Sequence, residues 1–348
     1  MGTIPGRFVA AVVIALVGTA LAGCSGVGDG AGSADDAPPT EPATTRLEQA
    51  LHYLAPGGGP VAFFDRTAFA TRLGLEDLET GAPDADVARW FDAARAEDFL
   101  LENTKLTNYL RLMQDATFSE FDVEWQLAET RAGTTVLRMS DDLDLDEVAD
   151  DLVAAGFEPS GPKARPILRP DLARSDDNGM LGGRYPSIEL WDVALVPEKH
   201  LIVTGHHVAE ALEVIDGETE SLADAGTYDA LLALDGDPAT VEYAGLTGGT
   251  CTLDGEDAGG SGAALFLHPD STVRWFRAFA TATAAQDDAT ALGAAVATEK
   301  PDRKALSVRA DGAVVRIEAA FADRVQLTTS YRVVEGRTAC SGTVTPDA

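Results

Sequence analysis

Phe121-Asp122-Val123-Glu124-Trp125-Gln126-Leu127, then Thr135-Val136-Leu137-Arg138-Met139, then a polar stretch from Ser140 to Asp144, is the passage from which the fold is read. The first segment alternates apolar and polar residues with period two, as a half-buried strand does, and the second pairs with it as a hairpin. Beyond Asp144 the period changes. Leu145, Val148 and Leu152 fall on one helical stripe, Asp144 and Glu147 have capping-box spacing, and Gly156 supplies a left-handed stop. The passage therefore reads as a hairpin followed by an amphipathic helix.

The same local order recurs on either side. Trp191-Asp192-Val193-Ala194-Leu195-Val196 leads through Pro197-Glu198-Lys199 into Leu201-Ile202-Val203, with Thr204 as a cap, Val208, Leu212 and Ile215 as a stripe, and Gly217 past the end. Upstream, Val61-Ala62-Phe63-Phe64, Asp65, a helix carrying Phe69 and Leu73, and Gly74 give a strand, a cap, a helix and a stop. Asp86 to Met113 has helical character, with Phe91, Phe99, Leu106, Tyr109, Leu110 and Met113 as its expected buried residues. Downstream, Asp311-Gly312 is a hairpin turn joining Leu306–Ala310 to Val314–Phe321, and alternation resumes from Val325 to Val333. Ser271 to Ala285 fits helix and strand alike. Gly245 to Gly262 reads as a glycine-rich loop.

The expected fold class is α+β: antiparallel sheets built from repeated β-hairpin–helix units, with helices packed on one face. Two lobes are expected, an α+β lobe over 46–220 and a strand-rich C-terminal lobe over 221–348.

Ahead of the folded part lies a different grammar. Met1 to Arg7 carries one charged side chain, Phe8 to Ala22 is uncharged and apolar, and Leu21-Ala22-Gly23-Cys24 ends the run. This arrangement of a charged start, an apolar stretch and small residues before a cysteine resembles the lipobox signal segment of bacterial lipoproteins. The resemblance implies cleavage after residue 23, diacylation of Cys24 as the first mature residue, and attachment to the extracytoplasmic face of the cell membrane. An uncleaved anchor and a soluble secreted form are the alternatives; the apolar run is short for a span, which takes about 20 residues. Residues 24–45, rich in Gly, Ser, Ala, Asp, Pro and Thr, read as a flexible tether. The chain has only five lysines, and is rich in arginine, alanine, aspartate and glycine. With the lipobox, that bias resembles an actinobacterial envelope protein.

Three cysteines are present. With Cys24 as the lipid site, Cys251 and Cys340 remain as an even pair in an oxidising compartment, and are expected to form a disulfide.

The 348 residues carry 57 acidic against 26 basic side chains, a net charge of −31. That excludes nucleic acid as a partner and disfavours anionic lipid heads, both of which would be repelled. The acidic run from Asp141 to Glu147 lacks the glycine and terminal glutamate of a calcium-binding EF-hand loop and reads as helix capping. His206, His207 and Glu210 do not make a zinc motif. Gly259-Gly260-Ser261-Gly262-Ala263 lacks the last glycine of a nucleophile elbow, and no phosphate-binding or dinucleotide fingerprint occurs.

No catalytic residue, metal or cofactor is therefore expected. The expected function is non-enzymatic binding or scaffolding at the envelope, toward an envelope protein or a small apolar ligand, with membrane contact through the lipid. Trp125 and Trp191, at corresponding places in two hairpin units, are the candidate groove residues. The competing expectation is a carboxylate-dependent hydrolase of envelope material, whose mark is two carboxylates converging on a cleft, one with a raised pKa.

Overall fold

The computed structural model describes residues 45–56, 59–96, 106–129, 133–162, 165–226, 228–236, 240–253, 256–299, 307–320 and 338–341. Cys24, the signal segment, the tether as far as residue 44, Phe99 and the expected strand from Val325 to Val333 lie outside these residues.

In chain order the helices are α1 (Arg46–Leu51), α2 (Arg66–Leu73), α3 (Asp84–Ala96), α4 (Leu145–Ala155), α5 (Val208–Ile215), α6 (Asp229–Asp235) and α7 (Ala282–Glu299). The strands are β1 (Val61–Asp65), β2 (Val123–Glu129), β3 (Thr135–Met139), β4 (Phe157–Ser160), β5 (Ile167–Pro170), β6 (Met180–Leu181), β7 (Tyr185–Pro186), β8 (Val193–Val196), β9 (Leu201–Thr204), β10 (Tyr243–Leu253), β11 (Glu256–Leu267), β12 (Thr272–Phe279), β13 (Ser307–Asp311), β14 (Val314–Ala320) and β15 (Thr338–Ser341). β6 and β7 form a small ribbon. The others make a 13-stranded sheet in the order β13-β14-β12-β11-β10-β1-β2-β3-β9-β8-β5-β4, with β15 alongside β10. The α+β reading is thus correct at the level of a large antiparallel sheet with several helices.

Local chemistry explains the elements. Asp65 ends β1 and caps α2 by accepting from the Ala68 backbone N–H, and Gly74 closes that helix in the left-handed conformation. Asp144 caps α4 through the N–H groups of Asp146 and Glu147, so the acidic run does serve the helix start. The Asp311-Gly312 turn forms as expected, with Gly312 at φ 59° between β13 and β14. Thr204, however, does not cap α5; His207 occupies that position without a side-chain bond.

Three expectations are corrected. First, helices cover both faces of the sheet. Val61, Phe63, Leu127, Val136 and Val203 pack with α1, α5 and α6 on one face. Their sequence neighbours turn the other way: Ala62 and Phe64 pack with α2, α3 and α7, while Leu137 and Ile202 pack with α4. A central strand such as β1 is consequently buried along its whole length. Second, residue 220 is not a lobe boundary. β1 pairs with β10 (Val61↔Leu246 to Phe64↔Tyr243) on one side and with β2 on the other. Thr44–Ala348 is one compact unit. Third, the glycine-rich stretch is a long hairpin, β10 and β11, rather than a loop. A Cβ on Gly262 would stand 3.1 Å from the Thr247 carbonyl oxygen, so the missing side chain lets the two backbones approach.

The ambiguous segment resolves as β12 followed by α7.

Candidate functional site

On the second face, between the apolar cluster under α2, α3 and α7 and the one under α4, the sheet carries a polar residue. Gln126 of β2 lies opposite Phe64 of β1 and Leu137 of β3, which belong to those two clusters. Its side chain accepts a hydrogen bond from Arg66 Nη2 at 2.8 Å. Arg66 is the first residue of α2, only 1% exposed, and its other terminal nitrogen meets the carboxylate of Glu120, which is 0% exposed. The guanidinium also sits 5.6 Å from the centre of the Phe64 ring. Burial pulls the Arg66 guanidinium well below its ordinary value.

Glu120 is placed by a short 3₁₀ turn, Glu120–Asp122. Ser119 and Asp122 fix that turn reciprocally: the Phe121 N–H donates to Ser119 Oγ, and the Ser119 N–H donates to Asp122 Oδ2 at 2.7 Å. The Thr80 hydroxyl donates to the same Asp122 oxygen. Burial pushes the Asp122 carboxyl up, the bonds from Thr80 and Ser119 oppose this, and the nearby Glu79 charge adds to it.

Arg66, Glu120 and Asp122 line a cavity of about 190 Å³, together with Trp90 of α3. Trp90 is 2% exposed and held edge-on by Phe69 at 4.9 Å and Phe121 at 5.3 Å. Its Nε1, Arg66 Nε and Glu120 Oε2 are buried and have no hydrogen-bond partner among the described residues. Buried polar atoms are nearly always satisfied by protein or ordered solvent, so solvent or a ligand in this cavity would supply the missing bonds. A second hollow of about 440 Å³ shares Leu75 and Leu78 with the first and adds Asp77, Glu79 and Asp86. The loop from Gly74 to Pro83 lines most of the second hollow.

The tryptophans expected to line a groove do not do so together. Trp125 is 3% exposed, stacked on Tyr53 at 6.0 Å and against Phe63 at 6.2 Å, within the core of the first face. Trp191 precedes β8, is 37% exposed, and lies 5.7 Å from the His206 ring. Neither lines the cavities just described or the open hollow of about 520 Å³ around Tyr53, Lys199 and Asp216. The physical reason is the pleat: Trp125 is inside a strand whose two faces are both covered, whereas Trp191 lies outside its strand.

Cys251 and Cys340 stand directly opposite in the register of β10 and β15. His207 Nδ1 lies 2.8 Å from Glu210 Oε2 on the surface. Among the described residues, no three His, Cys, Asp or Glu side chains could hold a metal ion. A buried cluster links Thr240, His268, Asp235 and Arg274: Thr240 Oγ1 is 3.0 Å from His268 Nδ1, and His268 Nε2 is 3.1 Å from Asp235 Oδ1. Arg274 donates to that carboxylate and to the Asp235 carbonyl. It joins the end of α6 to β12, and it lines none of the three cavities.

Sequence reasoning missed Arg66, Glu120 and Asp122 as a group. The available signal was charge in apolar company: Arg66 follows Val61-Ala62-Phe63-Phe64-Asp65, and Glu120 sits between Phe118 and Phe121.

No protein-family model and no curated protein matches the chain. A solved structure titled "Structure of crystal form I of TP0453" aligns over 82% of this chain and 96% of its own, at 8% identity and a TM-score of 0.42. Among the described residues no helix is long and apolar enough to cross a membrane.

Proposed function

We propose that this chain is a lipid-anchored envelope protein on the extracytoplasmic face of the cell membrane, and that its domain binds a small ligand. The observation that carries the binding reading is the cavity beneath α2, where Trp90, Arg66 and Glu120 present buried polar atoms without a hydrogen-bond partner among the described residues. The anchoring reading is supported by Leu21-Ala22-Gly23-Cys24 behind the apolar run. Two acyl chains on Cys24 make a stable tether where one holds only marginally. The net charge of −31 keeps nucleic acid away.

Two experiments test this. Metabolic labelling with a fatty-acid analogue should disappear in Cys24→Ala; label that persists defeats the anchor. Native mass spectrometry of protein purified from its own envelope should reveal extra mass that leaves on denaturation; a bare mass defeats the small-ligand reading and turns attention to an envelope protein partner.

The disulfide belongs to the same reading. Directly opposed residues of antiparallel strands have Cα atoms about 4.5 or 5.5 Å apart, both within disulfide range, which supports a Cys251–Cys340 bond. Thiol titration of unfolded, non-reduced protein should find neither residue free. The hairpin–helix units are read as a repeat: β2–β3–α4 and β8–β9–α5 have the same order and meet where β3 pairs with β9.

One observation favours a second reading, the carboxylate hydrolase. Glu120 and Asp122 both line the cavity, and burial raises Asp122. Soluble fragments released from purified envelope glycan, and lost in Asp122→Asn, would favour hydrolysis over binding.

A further inference from the structure

We propose that the occupant of the cavity beneath α2 is a small organic ammonium compound that also carries a hydrogen-bond acceptor, of about the size of an amino acid. This rests on the binding reading and names its ligand class.

Size sets the first limit. A volume of about 190 Å³ falls short of the roughly 300–1,000 Å³ typical of drug-sized ligands and is somewhat larger than a cavity of about 150 Å³ that accepts benzene. The free valences set the second. Arg66 Nε and Trp90 Nε1 are donors only, so the ligand must offer an acceptor. Glu120 Oε2 accepts only, so the ligand must also offer a donor, and a charged donor makes the stronger bond to a carboxylate.

Charge sets the third. The Arg66 guanidinium is already matched by Glu120. The rest of the charged lining is acidic: Glu76, Asp122 and Glu124. The adjoining hollow adds Asp77, Glu79 and Asp86 against the single Arg89. A purely anionic molecule would be repelled from this approach, and a molecule with an ammonium group is drawn to it. The carboxylates are not grouped to hold a metal ion, which leaves an organic cation as the fitting class.

The test is calorimetric titration of the intact protein with three probes. L-lysine carries ammonium and carboxylate, 1-aminopentane the ammonium alone, and glutarate carboxylates alone. Lysine should bind at one site and more tightly than either of the others. Trp90→Phe keeps an aromatic ring against Phe69 and Phe121 and removes the indole donor; it should weaken lysine by about tenfold, the equivalent of roughly one hydrogen bond. Asp122→Asn can still accept from Thr80 and Ser119, and should weaken lysine and 1-aminopentane together. Asp216→Asn, in the separate hollow beside Lys199, should change nothing. Failure of lysine to bind overturns the proposal, as does binding that is unaltered in both Trp90→Phe and Asp122→Asn. If native mass spectrometry then finds a bound molecule without an amine, the binding reading stands and the ammonium class falls. If it finds no molecule, both fall.

Discussion

At the scale of the residue, Arg66 and Glu120 show how a buried charge is tolerated only in company. Removing one partner of such a pair leaves the other uncompensated, which typically costs about 3–5 kcal/mol, whereas replacing both by apolar residues of similar volume is often neutral or stabilising. Glu120→Ala should therefore lower the urea-unfolding free energy by about 3–5 kcal/mol, while Arg66→Met combined with Glu120→Leu should recover most of that loss. Equal losses in the single and double variants would mean that packing, rather than charge, holds the site. Gly205 is the sharpest backbone constraint. Its φ is 124°, and an added Cβ would run into the Gly133 carbonyl, so Gly205→Ala should destabilise by about 1–3 kcal/mol in the same assay. Neither effect was readable beforehand. Arg66 at a helix start looks like an ordinary helix former, and what makes it costly to disturb is Glu120 and Gln126, more than fifty positions away in sequence.

At the scale of the element, caps and stops were legible and cross-element partners were not. Asp65, Asp144, Gly74 and Gly156 act where the pattern places them because capping is local. Gly236 ends α6 in the left-handed conformation, directly after Asp235. What Asp235 holds was not readable, since His268 comes just after β11 and Arg274 from β12. Burial alone would raise the Asp235 carboxyl, but the hydrogen bonds and charges of His268 and Arg274 outweigh it and keep the carboxyl below the ordinary carboxylate range. A carboxyl depressed in the folded state stabilises the fold above its unfolded-state value, about 3.9, and that contribution is lost as pH falls through the lower, folded-state value. Unfolding measured from pH 5 downward should accordingly show a steeper loss of stability for the native chain than for Asp235→Asn, which has no proton to take up. Parallel curves would remove Asp235 from the acid response. The misread element is β10–β11. Its glycines mimic a loop by composition, yet β10 has β1 and β15 on one side and β11 on the other, so tertiary pairing overrides local preference.

At the scale of the whole molecule, the antiparallel α+β class followed from alternation and turns, but the order of the strands did not. Nothing in the β1 segment announces that its neighbours are β2 and β10. Because that ladder joins the first folded strand to the C-terminal half, a fragment covering 46–220 should fail to fold alone, exposing β1 along one edge and leaving Val61 and Phe63 without Ala244 and Leu246. The intact domain should unfold in one cooperative transition, with calorimetric and van't Hoff enthalpies in agreement. Two resolved transitions, or a soluble folded 46–220 fragment, would restore the two-lobe picture.

The β1–β10 ladder also governs the order of events while the chain is being made. Phe64 emerges early, and its partner Tyr243 far later, so the slot beside β1 stays vacant for most of synthesis. During that interval the strand Val61-Ala62-Phe63-Phe64, apolar on both sides, offers unpaired backbone groups to any neighbouring nascent chain. Dense production of this protein is thus a race between completing one's own sheet and joining a neighbour's, and an escort that shields a short apolar strand until β10 arrives would decide its yield.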